Sequence, residues 1–203
     1  MNTTNVIGRG AEAVLYLDDS GKLVKERIKK RYRIKEIDEL LRKRRTRLES
    51  RILIRAKRIG VNTPTVFKTG DYKIFMEFID GERLKELLNK TSPRNYLAEE
   101  IGKIVGRLHS SGIIHGDLTT SNMILKDNKI YLIDFGLAYH SSSVENQAID
   151  LHLLHQAYQS THFKYLEKLW SNTIKGYKKT FDKWEPVLKR LEQIRKRGRY
   201  SKR

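Results

Sequence analysis

The stretch that most limits what this chain can fold into is residues 115–136. It reads His115-Gly116-Asp117-Leu118-Thr119-Thr120-Ser121-Asn122, then a short apolar strand pair, then Ile133-Asp134-Phe135-Gly136. Asp117 and Asn122 stand five apart in a loop, and Asp134 follows the alternation Ile130-Tyr131-Leu132-Ile133. A hairpin between them would carry all three polar groups to one rim. One carboxylate and one amide can ligate a hard divalent cation through oxygen, while the second carboxylate orients a hydroxyl or water. That set suits phosphoryl chemistry.

Upstream lies what such a site needs. Residues 5–17 read as strand, glycine turn and strand, with Gly8-Arg9-Gly10-Ala11-Glu12-Ala13 at the turn, and Lys22–Glu26 resumes as a third strand. From about Ile34 to Ile59, Ile37, Leu40, Leu41, Leu48, Ile52 and Ala56 recur at helical steps until Gly60 ends the run. Glu49 falls at the edge of that apolar stripe, where an acid needs an inward partner, and Lys25 would reach nucleotide phosphates from its strand. Two more strands follow, bounded by Pro64 and Gly70 and over Tyr72–Ile79. After residues 76–81 the periodicity is helical at 82–89, 93–111 and 145–192, with Trp170 and Trp184 as expected core anchors. The expected organisation is a strand-rich unit over 1–75, a hinge at 76–81, a helical unit over 82–194 and a basic mobile tail at 195–203.

Charge is unevenly spread. The net charge is +18, and residues 25–58 alone hold 16 basic and 5 acidic residues. Such a block attracts phosphate-rich partners through counterion release. Arg42, Lys43, Arg44 and Arg45, with Arg197 and Arg199 near the end, are the expected nucleic-acid surface. No apolar run approaches the roughly 18 residues of a membrane span, and since Met1-Asn2-Thr3-Thr4 is not a basic-then-apolar stretch, no secretory signal is expected. The absence of Cys excludes disulfides and thiolate metal sites. A cytoplasmic setting without a membrane partner is expected.

In order, the glycine loop at 8–13, Val24-Lys25, Glu49, the hinge, 115–122 and Asp134-Phe135-Gly136 resemble the motif set of the eukaryotic-type protein kinases. His115–Asn122, Gly10-Ala11-Glu12-Ala13, Val144–Leu151 and the ending Arg197-Gly198-Arg199 are similar to the small PRPK-type atypical kinases of the KEOPS complex. The resemblance implies an α+β fold, a minimal bilobal kinase with a β-rich N-lobe carrying one long helix and a reduced α-helical C-lobe. It implies ATP bound by Ile7, Gly8, Gly10, Ala11, Glu12, Val14, Lys25, Glu49, Met76, Glu77 and Ile79. Asp117 would be catalytic, and Asn122 and Asp134 would hold Mg2+. It further implies a serine/threonine kinase or ATPase supporting threonylcarbamoyl modification of tRNA adenosine. Its partners would be tRNA and the other KEOPS subunits, the threonylcarbamoyl-transferase subunit among them, and the chain could equally be one domain of a longer fusion.

Departures from the ordinary kinase pattern matter physically. Ala13 replaces a loop glycine, Glu12 sets a negative charge near the phosphates, and Gly116 and Thr119 stand where an Arg and a Lys are usual. No Ala-Pro-Glu motif follows Gly136, so water or the chain's own Ser141, Ser142 and Ser143 become the expected phosphate acceptors. His152, His155 and His162 are expected to be packing residues rather than metal ligands, and Asp150 a structural acid tying its helix to the catalytic loop. Two alternatives stand beside the main reading: a RIO-like serine kinase in ribosome assembly, and an ATP-binding pseudokinase scaffold for tRNA.

Overall fold

The computed structural model describes residues 5–200. Five strands, β1 (Asn5–Arg9), β2 (Ala13–Leu17), β3 (Leu23–Arg27), β4 (Val66–Thr69) and β5 (Lys73–Met76), form an antiparallel sheet in the order β1-β2-β3-β5-β4. The turn Asp18–Gly21 joins β2 to β3 through Asp18, whose side chain caps Ser20 N and Lys22 N, and Gly21 takes the left-handed backbone (φ 74°) that the reversal needs.

Between β3 and β4 the chain makes α1 (Lys35–Arg58), ended by Gly60 at φ 81°. Its second half buries Ile52, Leu53 and Ala56. The first half departs from the expected apolar stripe, since Ile37, Leu40 and Leu48 are exposed. There the inner position belongs to Asp38, fully buried, which accepts from Lys30 N at 3.2 Å and Arg42 Nε at 2.6 Å and lies 3.8 Å from Arg33. A satisfied carboxylate replaces an apolar contact.

The C-lobe contains β6 (Glu82–Arg83), α2 (Leu84–Leu87), α3 (Arg94–Ser110), β7 (Ile113–Ile114), β8 (Met123–Lys126), β9 (Lys129–Leu132), β10 (Tyr139–His140), α4 (Val144–Thr161), α5 (Leu166–Thr180) and α6 (Trp184–Tyr200). The expected hairpin is β8–β9, turned by Asp127 and Asn128, both with positive φ, as a two-residue hairpin loop requires. The segment 82–89 is shorter as a helix than its pattern predicts, because Glu82 and Arg83 pair with Leu125 and Ile124 of β8. The run 145–192 divides into α4, α5 and α6, with breaks after Thr161 and Thr180. Tyr158, Tyr177 and Phe135 are the fully buried aromatics, while Trp170 and Trp184 pack at the core's edge. Residues 195–200 continue α6, where the sequence pointed to a tail, and 201–203 lie outside the described residues. No described helix is long and apolar enough to cross a membrane.

Candidate nucleotide cleft

The cleft between the lobes is built around a buried carboxylate. Glu49 on α1 is 2% exposed and divides its oxygens between two cations of β3. Lys25 Nζ donates to Oε1 at 2.6 Å, and Arg27 Nη2 donates to Oε2 at 2.5 Å. Lys25 also donates to Asp134 Oδ1 at 2.6 Å, so one ammonium joins N-lobe sheet, helix and C-lobe. Burial opposes the Lys25 charge, but Glu49 and then Asp134 outweigh it and raise the ammonium above its usual range. For Asp134 burial likewise pulls upward, while Lys25 and the Gly136 N–H hold the carboxyl below the usual carboxylate range.

The catalytic loop is fixed from beneath. Asp150 of α4 accepts from His115 N and Gly116 N, each at 2.9 Å, and from His109 Nε2 at 3.3 Å, while the Tyr177 hydroxyl donates to His109 Nδ1 at 2.9 Å. Burial works against the Asp150 charge, and these bonds keep its carboxyl low nonetheless. This is the structural role expected of it. Gly116 has φ 78°, and a Cβ there would stand 2.5 Å from Leu137 O, which excludes any side chain at that place in this backbone. The buried His115 ring packs 4.7 Å from Phe135; burial lowers its pKa and keeps it neutral. Its Nε2 donates to Ile133 O and its Nδ1 accepts the Asp117 N–H, both at 3.3 Å, so His115 steers the Asp117 backbone with both ring nitrogens engaged. Asn122 Nδ2 donates to Asp117 O and Oδ2 at 2.9 Å, which leaves Asn122 Oδ1 as the oxygen without a partner among the described residues. Beyond it, Thr120 Oγ1 meets His162 Nε2 at 3.0 Å and His162 Nδ1 meets Asn89 at 2.8 Å, a packing role for His162.

Two connected recesses make up the cleft. The inner one is apolar and takes Ile7, Leu15, Leu23, Met76, Ile79, Ile124 and Ile133, with Lys25, Glu49, Glu77, Asn122 and Asp134 at its rim. The outer one takes Gly8, Gly10, Ala11, Glu12, Ala13, Arg27, Asp117, Asp134 and Gly136. All the expected ATP residues but Val14 line one or the other. Val14 lies between Ala13 and Leu15 on β2, and the two-residue period turns those neighbours into the cleft and Val14 away from it. Leu15, Leu23, Ile124 and Ile133 were missed for want of tertiary information, whereas Arg27 was findable, since β3 parity puts it on the face of Lys25. Glu77 is anchored at the hinge by Thr65 Oγ1 at 2.7 Å.

An apolar slot with an acidic and amide rim suits a purine and an oxygen-ligated cation. Asp134, half exposed, and Asn122 Oδ1 form a hard-oxygen set of the kind magnesium takes. Among the described residues no group of three or more His, Cys, Asp or Glu side chains is placed to hold a metal ion.

Two expectations change. Arg42–Arg45 do not form one surface, because 100° per residue distributes four successive side chains around α1. Arg42 turns inward to Asp38 and stacks 3.9 Å over Tyr72; Lys43 pairs with Asp71 at 2.9 Å and Arg45 with Glu12 at 3.0 Å. Only Arg44 of the four faces solvent without an ion pair among the described residues. Arg51 and Arg58 follow it at seven-residue steps, both exposed, so the free basic stripe is 44, 51 and 58. Arg197 is exposed on α6, and the side chain of Arg199 lies outside the described residues. Ser141, Ser142 and Ser143 do not line the cleft. Ser141 Oγ accepts from Ser143 N and Asn146 Nδ2, and Ser142 faces a separate recess beside His109 and Phe181.

Known proteins share this chain's sequence and fold. A RIO-domain family profile matches residues 19–164. "KEOPS complex subunit Bud32" of Pyrococcus abyssi is 49% identical, with 98% of this chain and 97% of that protein covered. The chain belongs to the Bud32 family. A second relative of this Bud32-type chain is the "probable bifunctional tRNA threonylcarbamoyladenosine biosynthesis protein" of Methanosarcina mazei, 49% identical. There the match covers 97% of this chain and only 36% of the longer relative. The Bud32 fold is also that of the Rio2 kinase from Chaetomium thermophilum, solved as an ADP/Mg2+-phosphoaspartate complex, with TM-score 0.66, 14% identity, and 96% of this chain and 70% of that one covered.

Proposed function

We propose that the chain binds Mg-ATP in this cleft and turns it over as an atypical kinase or ATPase, in support of threonylcarbamoyladenosine modification of tRNA within a KEOPS complex. The observation that carries the reading is the convergence of Lys25, Glu49, Asp117, Asn122 and Asp134 on one cleft wall. The apolar recess would take the base, and the glycine-loop backbone and Lys25 would hold the phosphates. Asn122 Oδ1 and Asp134 would hold magnesium, which when bound would supply positive charge to offset that of the phosphates. Asp117, steered by His115 and Asn122, would align the attacking water or hydroxyl. The segment 137–143 is held to the C-lobe by Tyr139 and His140 pairing with β7, which favours a small acceptor over an extended peptide.

The tRNA assignment draws on the relatives' names and on the Arg44, Arg51, Arg58 stripe, with Arg197 exposed separately on α6. Partners would be the other KEOPS subunits, including the threonylcarbamoyl-transferase subunit, and the cytoplasm is the expected setting. Those names favour tRNA over ribosome assembly, and the full set of phosphate-handling groups favours an enzyme over a pseudokinase scaffold. The test is ATP turnover by the purified chain, alone, with tRNA, and with the transferase subunit. Turnover should rise when both are added, and reversing the charge of Arg44, Arg51 and Arg58 should lower the tRNA response while leaving turnover alone unchanged. Turnover indifferent to tRNA and to the partner would contradict the assignment.

A further inference from the structure

Arg27 holds a place in the cleft that the motif set does not explain. It stands two residues beyond Lys25 on β3, so strand alternation sends both side chains to the same face. The Arg27 side chain is only 5% exposed. Among the described residues its guanidinium makes one bond, from Nη2 to Glu49, and its Nε is buried without an acceptor. Buried guanidinium groups ordinarily have their donors met, because leaving them unmade costs the full desolvation of the group. The group borders the outer recess together with the glycine loop, Lys25, Asp117 and Asp134. A Cβ on Gly136 would stand 3.6 Å from Arg27 Nη2 and 3.5 Å from Lys25 Nζ, so Gly136 brings the loop backbone close to both cations.

The charges indicate what the recess accepts. Lys25, Arg27, Glu49 and Asp134 are two cations and two anions in mutual contact. Once Asp134 serves a divalent cation, Lys25 is released toward phosphate, and Glu49 still has Arg27 to hold it. Arg27 then still carries guanidinium donors without an acceptor among the described residues, at the border of the same recess. We propose that Arg27 is a second phosphate-binding cation of the cleft, which fixes Glu49 through Nη2 and gives its free N–H donors to phosphate oxygens of a bound nucleoside triphosphate. This rests on the nucleotide reading above and adds to it a source of discrimination by phosphate content. A planar guanidinium can fork onto phosphate oxygens as an ammonium cannot.

The test is calorimetric binding of Mg-ATP and of adenosine to the full chain, as wild type, Arg27→Lys and Arg27→Met. Arg27→Met should weaken Mg-ATP about tenfold or more, the scale of one charge-assisted hydrogen bond, and leave adenosine within about twofold. Arg27→Lys keeps the charge and should fall between, and it carries the test if the Met variant does not fold. An Arg27 that only supports Glu49 would leave Arg27→Lys, which keeps a cation on Glu49, at the wild-type Mg-ATP affinity, and one that only supports the fold would weaken both ligands alike; either result overturns the proposal. Failure of the wild type to bind Mg-ATP would remove the nucleotide reading and this inference together. Wild-type binding with variants that match it removes this inference alone.

Discussion

At Gly102 a single added Cβ would stand 1.9 Å from Thr173 O and 2.7 Å from Tyr177 N, and at Gly176 it would stand 1.9 Å from Glu99 O. These two glycines let α3 and α5 pack backbone against backbone. Gly102→Ala should therefore lower stability by about 2 kcal/mol or more in urea unfolding, since overpacking against a backbone outweighs the roughly 1 kcal/mol that Ala gains in helix propensity. Stability equal to wild type would show that the helices can separate without cost. Nothing in the sequence announces this, because a glycine inside a helical pattern registers only as a weakness and names no neighbour. Lys25 and Glu49 were legible for the opposite reason, as an acid on an apolar stripe must find a cation. Val14 was misjudged by strand parity, and Arg27 was lost among 42 basic residues.

Between elements, Glu99 on α3 is the electrostatic tie to α5. Hydrogen bonds from Lys179 at 2.5 Å and Lys175 pull its carboxyl from the usual value to about 2. A depressed carboxylate stabilises the fold above its unfolded pKa, and that contribution is lost as pH falls from about 4.5 toward about 2. Thermal unfolding across that window should fall less steeply for Glu99→Gln than for wild type, and parallel curves would remove the tie. Helix and strand order were largely readable from periodicity, including the β8–β9 hairpin and the Gly60 stop. The breaks within 145–192 were not, since three helices in a row share one apolar rhythm and differ only where loops at 162–165 and 181–183 turn the chain. The inner face of α1 was also misread, because Asp38 with its Arg42 and Lys30 partners fills a core position with satisfied charge.

Across the molecule, a sheet lobe and a helical lobe meet at a cleft whose polar wall draws on β3, α1, the catalytic loop and residues 134–136. The positive charge of the chain is divided by the fold. Part is consumed within it, by Glu49, Asp38, Asp71 and Glu12, and part is left on the Arg44, Arg51, Arg58 stripe. A contiguous basic run therefore overstated the free surface, while the acid, amide and acid of 115–136 lie together in the cleft between the two lobes. On the proposed function, Asp134, held by Lys25 and lining the same recess as Asn122, would make this cleft a magnesium-nucleotide site. This central claim is tested most directly by magnesium-dependent ATP turnover of purified Asp134→Ala beside wild type. The account predicts turnover by the wild type and a loss of about a hundredfold or more in the variant, the scale of a removed electrostatic stabiliser; an Asp134→Ala protein that turns over ATP at the wild-type rate would contradict it.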